Sequence, residues 1–427
     1  MVQCLTPLPN PSRLCPKGLY AHASLSLQHG ENSQISSTQN QSKLQRFSQS
    51  AKFASEFSVY RSLAAPRPHF DRPRGATMDI PGASAVEISE LAAATPTDSI
   101  PVLTLTEVAN RLHDYTHPRC KPYTAMYSSV VGGITLDPAA MVVPLDDHIV
   151  HRGHGVFDTA TVFNGFLYEL DAHVDRLLRS AAQARIPLPF PRAVLRNILV
   201  QTAAASGTRE GTLRYWLSVG PGDFNLSPAH CTSTFYAVMI AEERKSREIV
   251  GGVKVITSSV PIKRPYFATM KTTNYLPNAL AKMDGEDKGA YQAIWLDDEG
   301  FIAEGANMNV AFVSKGTLMV PSFDNILSGC TAKRMLVLVE QLVANSSYNG
   351  GALLNVKVGR ITVEEARKAD EMMLVVSSHL ILPVTEWDGQ AVGNGEVGPV
   401  VKQLLSLMED DLFNGPPEVR EAVPYKN

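Results

Sequence analysis

Five places in this sequence have residue types and surroundings that chemistry could use. Lys271 lies in the run from Phe267 to Tyr275, between a strand-like stretch and a short predicted helix. Apolar neighbours can lower a lysine's pKa, and only the neutral amine attacks a carbonyl to form a Schiff base. A solvated surface lysine is the plain alternative. Glu304 ends the strand-like Phe301-Ile302-Ala303-Glu304-Gly305, and Asn307 and Asn309 follow it. A carboxylate there is either a surface group or a partner for a cationic ring nitrogen. Ser328-Gly329-Cys330-Thr331 opens an apolar helix, whose first N–H groups are free for an anion or for an ordinary cap. Ser377 and Ser378 end the strand-like Met372 to Val376. Arg176 sits one helical turn after His173 and, taken alone, reads as a surface arginine.

The densest polar cluster is Asp146-Asp147-His148 with His151-Arg152 and His154. Imidazole and carboxylate are metal ligands, but this spacing matches no closed site. The cluster reads as a polar strand–loop junction, and no metal is expected.

These groups must be positioned by a folded chain. The sequence has 427 residues, a formal net charge of −3 and 44% hydrophobic residues. That length allows two or three domains. The weak negative charge argues against a nucleic-acid surface. No apolar run is long enough to cross a membrane. Five scattered cysteines, without a C-x-x-C pair, form neither a disulfide framework nor a structural zinc site.

The first 70 residues contain twelve serines, seven Lys or Arg, and only Glu31 and Glu56 as acids. That is the composition of an organelle transit peptide, plastid rather than mitochondrial; a tail without targeting role is the alternative. Residues 1–75 are assigned as leader and 76–120 as linker with a lead-in helix from Thr106 to Tyr115. Residues 121–243 read as a small α+β domain. Its marks are an Asn164-Gly165 hairpin, a helix capped by Asp171 with Val174, Leu177, Leu178 and Ala181 on one face, and a helix from Arg192 to Ser206 stopped by Gly207. Residues 250–412 read as a larger domain of mixed strands and helices, ending in a helix from Val397 to Asp411, with 413–427 as a tail. Without strict βαβ alternation or a G-x-G-x-x-G after a strand, a dinucleotide fold is disfavoured.

Taken in order, Arg176, Lys271, Glu304, Thr331 and Ser378 resemble the site residues of the fold-type IV pyridoxal 5'-phosphate (PLP) enzymes. Four runs carry the resemblance: Gly153-His154-Gly155-Val156-Phe157, His173-Val174-Asp175-Arg176-Leu177, Glu304-Gly305-Ala306-Asn307-Met308-Asn309-Val310, and Gly329-Cys330-Thr331. They are similar to the family's G-D-G-x-[FY], H-x-x-R-L, E-x-x-x-x-N-[VL] and G-I-T motifs. The resemblance implies an α+β fold, with a small α+β domain, a larger pseudo-barrel domain, PLP between them, and a homodimer. It also implies roles. Lys271 would carry the cofactor and move the substrate proton. Glu304 would face the pyridine nitrogen. Arg176, Cys330, Thr331 and Ser378 would bind the phosphate.

Substrate is less directly written. The leader and the run Arg214 to Phe224 resemble the plant plastid D-amino-acid transaminases, implying D-alanine and other D-amino acids as donors and 2-oxoglutarate or pyruvate as acceptors. Bacterial members carry Tyr where Phe157 stands, and an R-x-H carboxylate trap where this chain reads Gly220-Pro221-Gly222-Asp223-Phe224-Asn225. Phe157-Asp158-Thr159-Ala160 is similar to the F-T-T-A run of the aminodeoxychorismate lyases, which serve p-aminobenzoate and folate synthesis. Lyase activity is therefore expected beside transamination. A branched-chain L-aminotransferase, or a PLP-binding protein without turnover, is the alternative. Arg214 is the candidate for the substrate carboxylate, with a structural ion pair as its plain reading.

Overall fold

The computed structural model describes residues 100–116, 122–242, 251–344, 353 and 355–426. The leader, the transit-peptide assignment and most of the charged stretch Glu242 to Glu248 lie outside the described residues. The chain from Asp98 onward forms one compact unit, built on two sheets. α1 (Leu105–Thr116) leads in with no buried residue.

The first sheet contains β1 (Tyr123–Ser128), β2 (Gly133–Thr135), β3 (Gly155–Phe163), β4 (Phe166–Tyr168), β5 (Gly211–Ser218) and β6 (Thr234–Ala241). The short α2 (His148–His151) precedes β3, and α3 (Leu170–Gln183) and α4 (Arg192–Ser206) lie between β4 and β5. Strand period 2 separates the faces of this sheet. Val156, Ala160 and Val162 of β3 join Leu213 and Leu217 of β5 under Val174, Leu177, Leu195 and Leu199 of the two helices. Phe157, Thr159, Arg214 and Trp216 fall on the opposite face. Asn164 and Gly165, at φ 48° and 78°, make the β3–β4 turn that the dipeptide predicts. α4 ends where expected, with Gly207 at φ 67°.

The second sheet contains β7 (Val253–Thr257), β8 (Gln292–Leu296), β9 (Ile302–Gly305), β10 (Asn309–Ser314), β11 (Thr317–Pro321), β12 (Asn355–Gly359), β13 (Glu371–Val376), β14 (Leu380–Trp387) and β15 (Gln390–Ala391). The path runs β12-β11-β10-β13-β14-β7-β8-β9, with β15 on β14. The Gly305 N–H donates to the Met308 carbonyl at 2.8 Å, so the far strand β9 turns straight back into β10. The sheet thus curls on itself, as the pseudo-barrel expectation requires. α5 (Pro265–Ala268) and α6 (Leu276–Asp287) flank the Lys271 loop. α7 (Cys330–Ala344), α8 (Val363–Arg367) and α9 (Pro399–Asn414) complete the layer. Met335, Val339, Leu404 and Met408 of α7 and α9 pack with Met373 and Ile381 of the sheet.

Three sequence expectations need correction. Asp171 does not cap α3: the cap position is Glu169, at φ 52° and without a side-chain cap bond. Asp171 instead pairs with Arg192 and Arg196. Strand β14 is absent from the sequence expectation. Residues 413–427 are not a free tail: β16 (Arg420–Ala422) pairs with β4, and Val423 enters the first core. Glu421 accepts from Arg196 at 2.8 Å, closing the chain end onto the small-domain sheet.

Candidate active site

Lys271 is fixed through its backbone. Its carbonyl accepts from the Phe157 N–H at 2.9 Å, and its N–H donates to Ser180 Oγ at 3.2 Å. β3 and α3 therefore both hold the lysine loop. The half-buried side chain places Nζ 3.3 Å from Tyr275 Oη and 4.8 Å from the centre of the Phe157 ring. Burial first, then the charge of Arg176, bring the Lys271 pKa down to about 8, against the opposing pull of Asp158, Glu304 and Cys330. About a tenth of the amine is then neutral at pH 7, far more than for a solvated lysine.

Lys271 and Glu304 line one open cleft of about 530 Å³, with Arg176, Asn309, Thr331 and Ser377. Glu304 is 5% exposed. Burial pushes its carboxyl up to about 7, although Lys263, the Leu327 N–H, Lys271 and Arg176 favour the charged form. A carboxyl poised this way can meet a cationic nitrogen as a carboxylate.

Arg176 is not a surface arginine. It is 6% exposed and donates through Nε and Nη2 to the two oxygens of Asp158, at 2.8 and 2.7 Å. Asp158 is fully buried and also contacts His173 Nδ1 at 2.8 Å. Burial would discharge all three groups. Arg176 and His173 nevertheless hold the Asp158 carboxyl below the usual range, while Cys330 and Asp158 push His173 up to about 10. The guanidinium is thereby locked in charge and direction at the edge of the cleft.

Thr331 Oγ1 and Ser377 Oγ lie 2.9 Å apart across the start of α7, where the first N–H groups lack helical acceptors. Cys330 and Gly329 line the same end. A Cβ at Gly329 would collide with Asn309 Oδ1, whose amide donates to the Leu327 carbonyl at 3.0 Å. The backbone can approach that closely only as glycine. Ser328 Oγ is buried with no partner. Ser378 is a correction: its hydroxyl contacts His379 Nδ1 at 2.9 Å, and Ser377 takes the place in the cleft. The β13 end turns there, and one residue reverses the direction.

Phe157 stands edge-on to Tyr275, with centroids 5.0 Å apart. Arg214 is exposed on the same face of the sheet. Its Nε donates to Thr159 Oγ1 at 3.3 Å and its guanidinium lies 5.8 Å from the Phe157 ring centre. Among the described residues these partners are not carboxylates, so the ion pair considered for Arg214 is not what holds it. The Asp146 to His154 cluster keeps its histidine rings together, with His148 4.8 Å from His151 and 5.9 Å from His154 between ring centres. Asp147 is buried under Ser218, Thr234 and Tyr236, and the three histidines face different backbone carbonyls.

Sequence reasoning missed Asp158, Lys263 and Tyr275 as members of the site, and noted Ser377 and Asn309 without giving either a role. Asp158 carried a partial signal, an acid on the apolar face of β3 with Val156, Ala160 and Val162, which needs a buried partner the sequence does not name.

The profile of the amino-transferase class IV family matches residues 155–387, which span Phe157 through Ser378. The chain belongs to the class IV aminotransferases. It is 57% identical over 330 residues to the chloroplastic D-amino-acid transaminase of Arabidopsis thaliana, covering 77% of this chain and 86% of that one. It is 28% identical over 284 residues to the D-alanine aminotransferase of Bacillus licheniformis, covering 66% and 96%. The fold superposes on a T.th. branched-chain amino acid aminotransferase solved with pyridoxamine 5'-phosphate, with TM-score 0.64, 23% identity and coverage of 70% and 99%. Class IV aminotransferases are PLP enzymes, and this site fits the cofactor: a low-pKa lysine, a buried carboxyl, and a helix start bearing the Thr331 and Ser377 hydroxyls beside Arg176. No helix among the described residues is long and apolar enough to cross a membrane.

Proposed function

We propose that this class IV aminotransferase is a D-amino-acid transaminase, moving the amino group of D-alanine and other D-amino acids to 2-oxoglutarate or pyruvate. One observation carries the chemistry: Lys271, Glu304, Thr331, Ser377 and Arg176 line one cleft. The printed names of the Arabidopsis and Bacillus relatives support the D-specific donor. PLP supplies the electron sink for the carbanion at the substrate Cα. Lys271 holds the cofactor and carries the proton to and from Cα, a task its pKa of about 8 suits. Glu304 keeps the proton on the ring nitrogen. Arg176, Thr331, Ser377 and the N–H groups at Cys330 anchor the phosphate by charge-assisted bonds, at roughly 1.5–3 kcal/mol for each charged donor.

Arg214 is assigned to the substrate carboxylate. Among the described residues only its Nε has a hydrogen-bond partner, and the guanidinium lies beside the Phe157 ring, on the face that carries the Lys271 contact. A guanidinium can take a carboxylate with two hydrogen bonds and fix the amino acid's orientation. Phe157 forms a wall between them. The same lysine and cofactor suit elimination, so aminodeoxychorismate lyase activity is assigned beside transamination, on the likeness of Phe157-Asp158-Thr159-Ala160 to the lyase run.

The acid-poor leader and the chloroplastic relative support a plastid location, with the first ~70 residues removed as a transit peptide. Family membership supports a homodimer. Exposed Val131, Ile134, Leu136, Val142 and Leu145, around the β2 edge, offer apolar surface for it.

The test is a side-by-side assay of D-alanine, L-leucine and aminodeoxychorismate on the PLP-loaded chain. D-alanine should be the fastest amino donor, with pyruvate released from aminodeoxychorismate. Transamination of L-leucine much faster than of D-alanine overturns the D-specific reading in favour of the branched-chain one. PLP binding without turnover of any donor makes the chain a binding protein.

A further inference from the structure

Away from the cleft, the loop between β5 and β6 folds back on itself against α2. Gly220 adopts φ +88°, and a Cβ there would run into the Thr232 carbonyl. A Cβ on Gly222 would strike the His230 carbonyl. The Thr232 N–H donates to the Pro221 carbonyl at 3.0 Å, and the Cys231 N–H to that of Pro228 at 3.0 Å. Two glycines thus allow Cys231 to return beside Asp223. α2 meets the loop from outside the sheet: the His148 N–H donates to the Gly220 carbonyl at 3.1 Å.

One ligand atom each from His148, Asp223 and Cys231 then lie within 4.8 Å of one another. His148 is 0% exposed. Its Nε2 lies 3.1 Å from the Asn225 carbonyl, and its Nδ1 is buried with no partner. Neither neutral tautomer satisfies this ring. With the proton on Nε2, the Nδ1 lone pair is stranded. With the proton on Nδ1, that donor is stranded and the Nε2 lone pair faces an oxygen. Burying an unpaired polar group costs about 1–3 kcal/mol. A cation bound at Nδ1, with the proton on Nε2 donated to the Asn225 carbonyl, satisfies both ring nitrogens. Asp223 already accepts from the Asn225 N–H at 2.9 Å and its side-chain amide at 2.8 Å, which fixes the carboxylate in place and leaves further lone pairs.

We propose that His148, Asp223 and Cys231 form a binding site for a divalent cation of the zinc class. Imidazole, carboxylate and thiolate are the donor set zinc prefers, at ~2.0–2.3 Å. The Asn225 carbonyl, 3.1 Å from Nε2, orients the ring by accepting from it. On binding, the Cys231 thiol gives its proton to solvent and its sulfur donates a lone pair to the metal, with no change of oxidation state. The role is structural: the ion ties the 220–232 loop to α2. This site is separate from the PLP cleft and does not depend on the substrate reading.

The experiment uses the PLP-loaded full chain, stripped with chelator and titrated with cobalt(II) or zinc(II) alone. Cobalt is expected to bind at one ion per chain with a thiolate-to-cobalt charge-transfer band. Cys231→Ser should abolish that band, and Cys231→Ser and Asp223→Asn should each weaken zinc at least tenfold. Both positions are half-buried, so these variants spare the fully buried His148. Far-UV circular dichroism and PLP content of the metal-free variants should match wild type and report a folded chain. Absence of stoichiometric uptake, or uptake and spectrum unchanged in both variants, overturns the proposal.

Discussion

The Lys271 amine donates to the Tyr275 hydroxyl at 3.3 Å, four residues on at the N-cap of α6. Burial pushes Tyr275 up to about 12, so the phenol is neutral whenever Lys271 works. The contact therefore aims the amine without removing its charge. Tyr275→Phe should keep its PLP content and lose roughly three- to tenfold in kcat, the worth of one hydrogen bond of ~1 kcal/mol. Steady-state rates beside the cofactor's absorbance check it; unchanged kcat would mean that Phe157 alone positions the amine.

Arg176 has two duties that one substitution separates. Arg176→Ala removes a phosphate-facing guanidinium and strands the buried Asp158. PLP affinity should fall well over tenfold, and the apoenzyme should lose on the order of 3–5 kcal/mol, as when one partner of a buried pair is deleted. Asp158→Asn with Arg176 intact should cost stability with a smaller loss of PLP affinity. Denaturant unfolding and PLP titration on both variants measure this. Unchanged PLP affinity in Arg176→Ala would assign the arginine to the fold alone.

Ser377 and Ser378 give a one-residue test of the phosphate end. Ser377→Ala should weaken PLP about fivefold, for a neutral hydrogen bond of ~1 kcal/mol, and Ser378→Ala should leave it unchanged. Reversed effects would restore the position that the motif resemblance implied.

Glu304 predicts a pH dependence. Its folded pKa of about 7 lies above the ordinary 4.5, so the apoenzyme buries a costly charge at high pH. The cost is absent below about 4.5, grows as pH rises, and is complete above about 7, on the order of 3 kcal/mol. Glu304→Gln should therefore stabilise the apoenzyme at pH near 8, leave it unchanged near pH 4, and depress transamination by orders of magnitude. Thermal unfolding at both pH values measures the first part; a variant less stable at the higher pH would contradict it.

Much of the architecture was legible because it is local. The Asn164-Gly165 turn and the α4 segment with its Gly207 stop follow from backbone chemistry within a few residues. β14 was hidden by Pro383, which breaks a strand pattern. Pro383 is tolerated because it faces Met373 of β13, and the β7 ladder begins only at Val384. β16 is three residues long and gains its identity from β4, some 250 positions earlier. In the site, Lys271, Glu304, Arg176 and Thr331 were readable from motif order. Ser377 was not, since only the turn after β13 decides which serine faces the cleft. Asp158 was not, since its meaning lies in the buried pair with Arg176 and His173.

The central claim is that Lys271 carries PLP in the cleft facing Glu304. Borohydride reduction of the PLP-loaded enzyme, followed by peptide mapping, tests it directly. A pyridoxyl group on Lys271 alone is the predicted result, and Lys271→Ala should bind PLP without being labelled. A label on Lys263, which also lines the cleft, or on Lys282 or Lys288, would contradict the account.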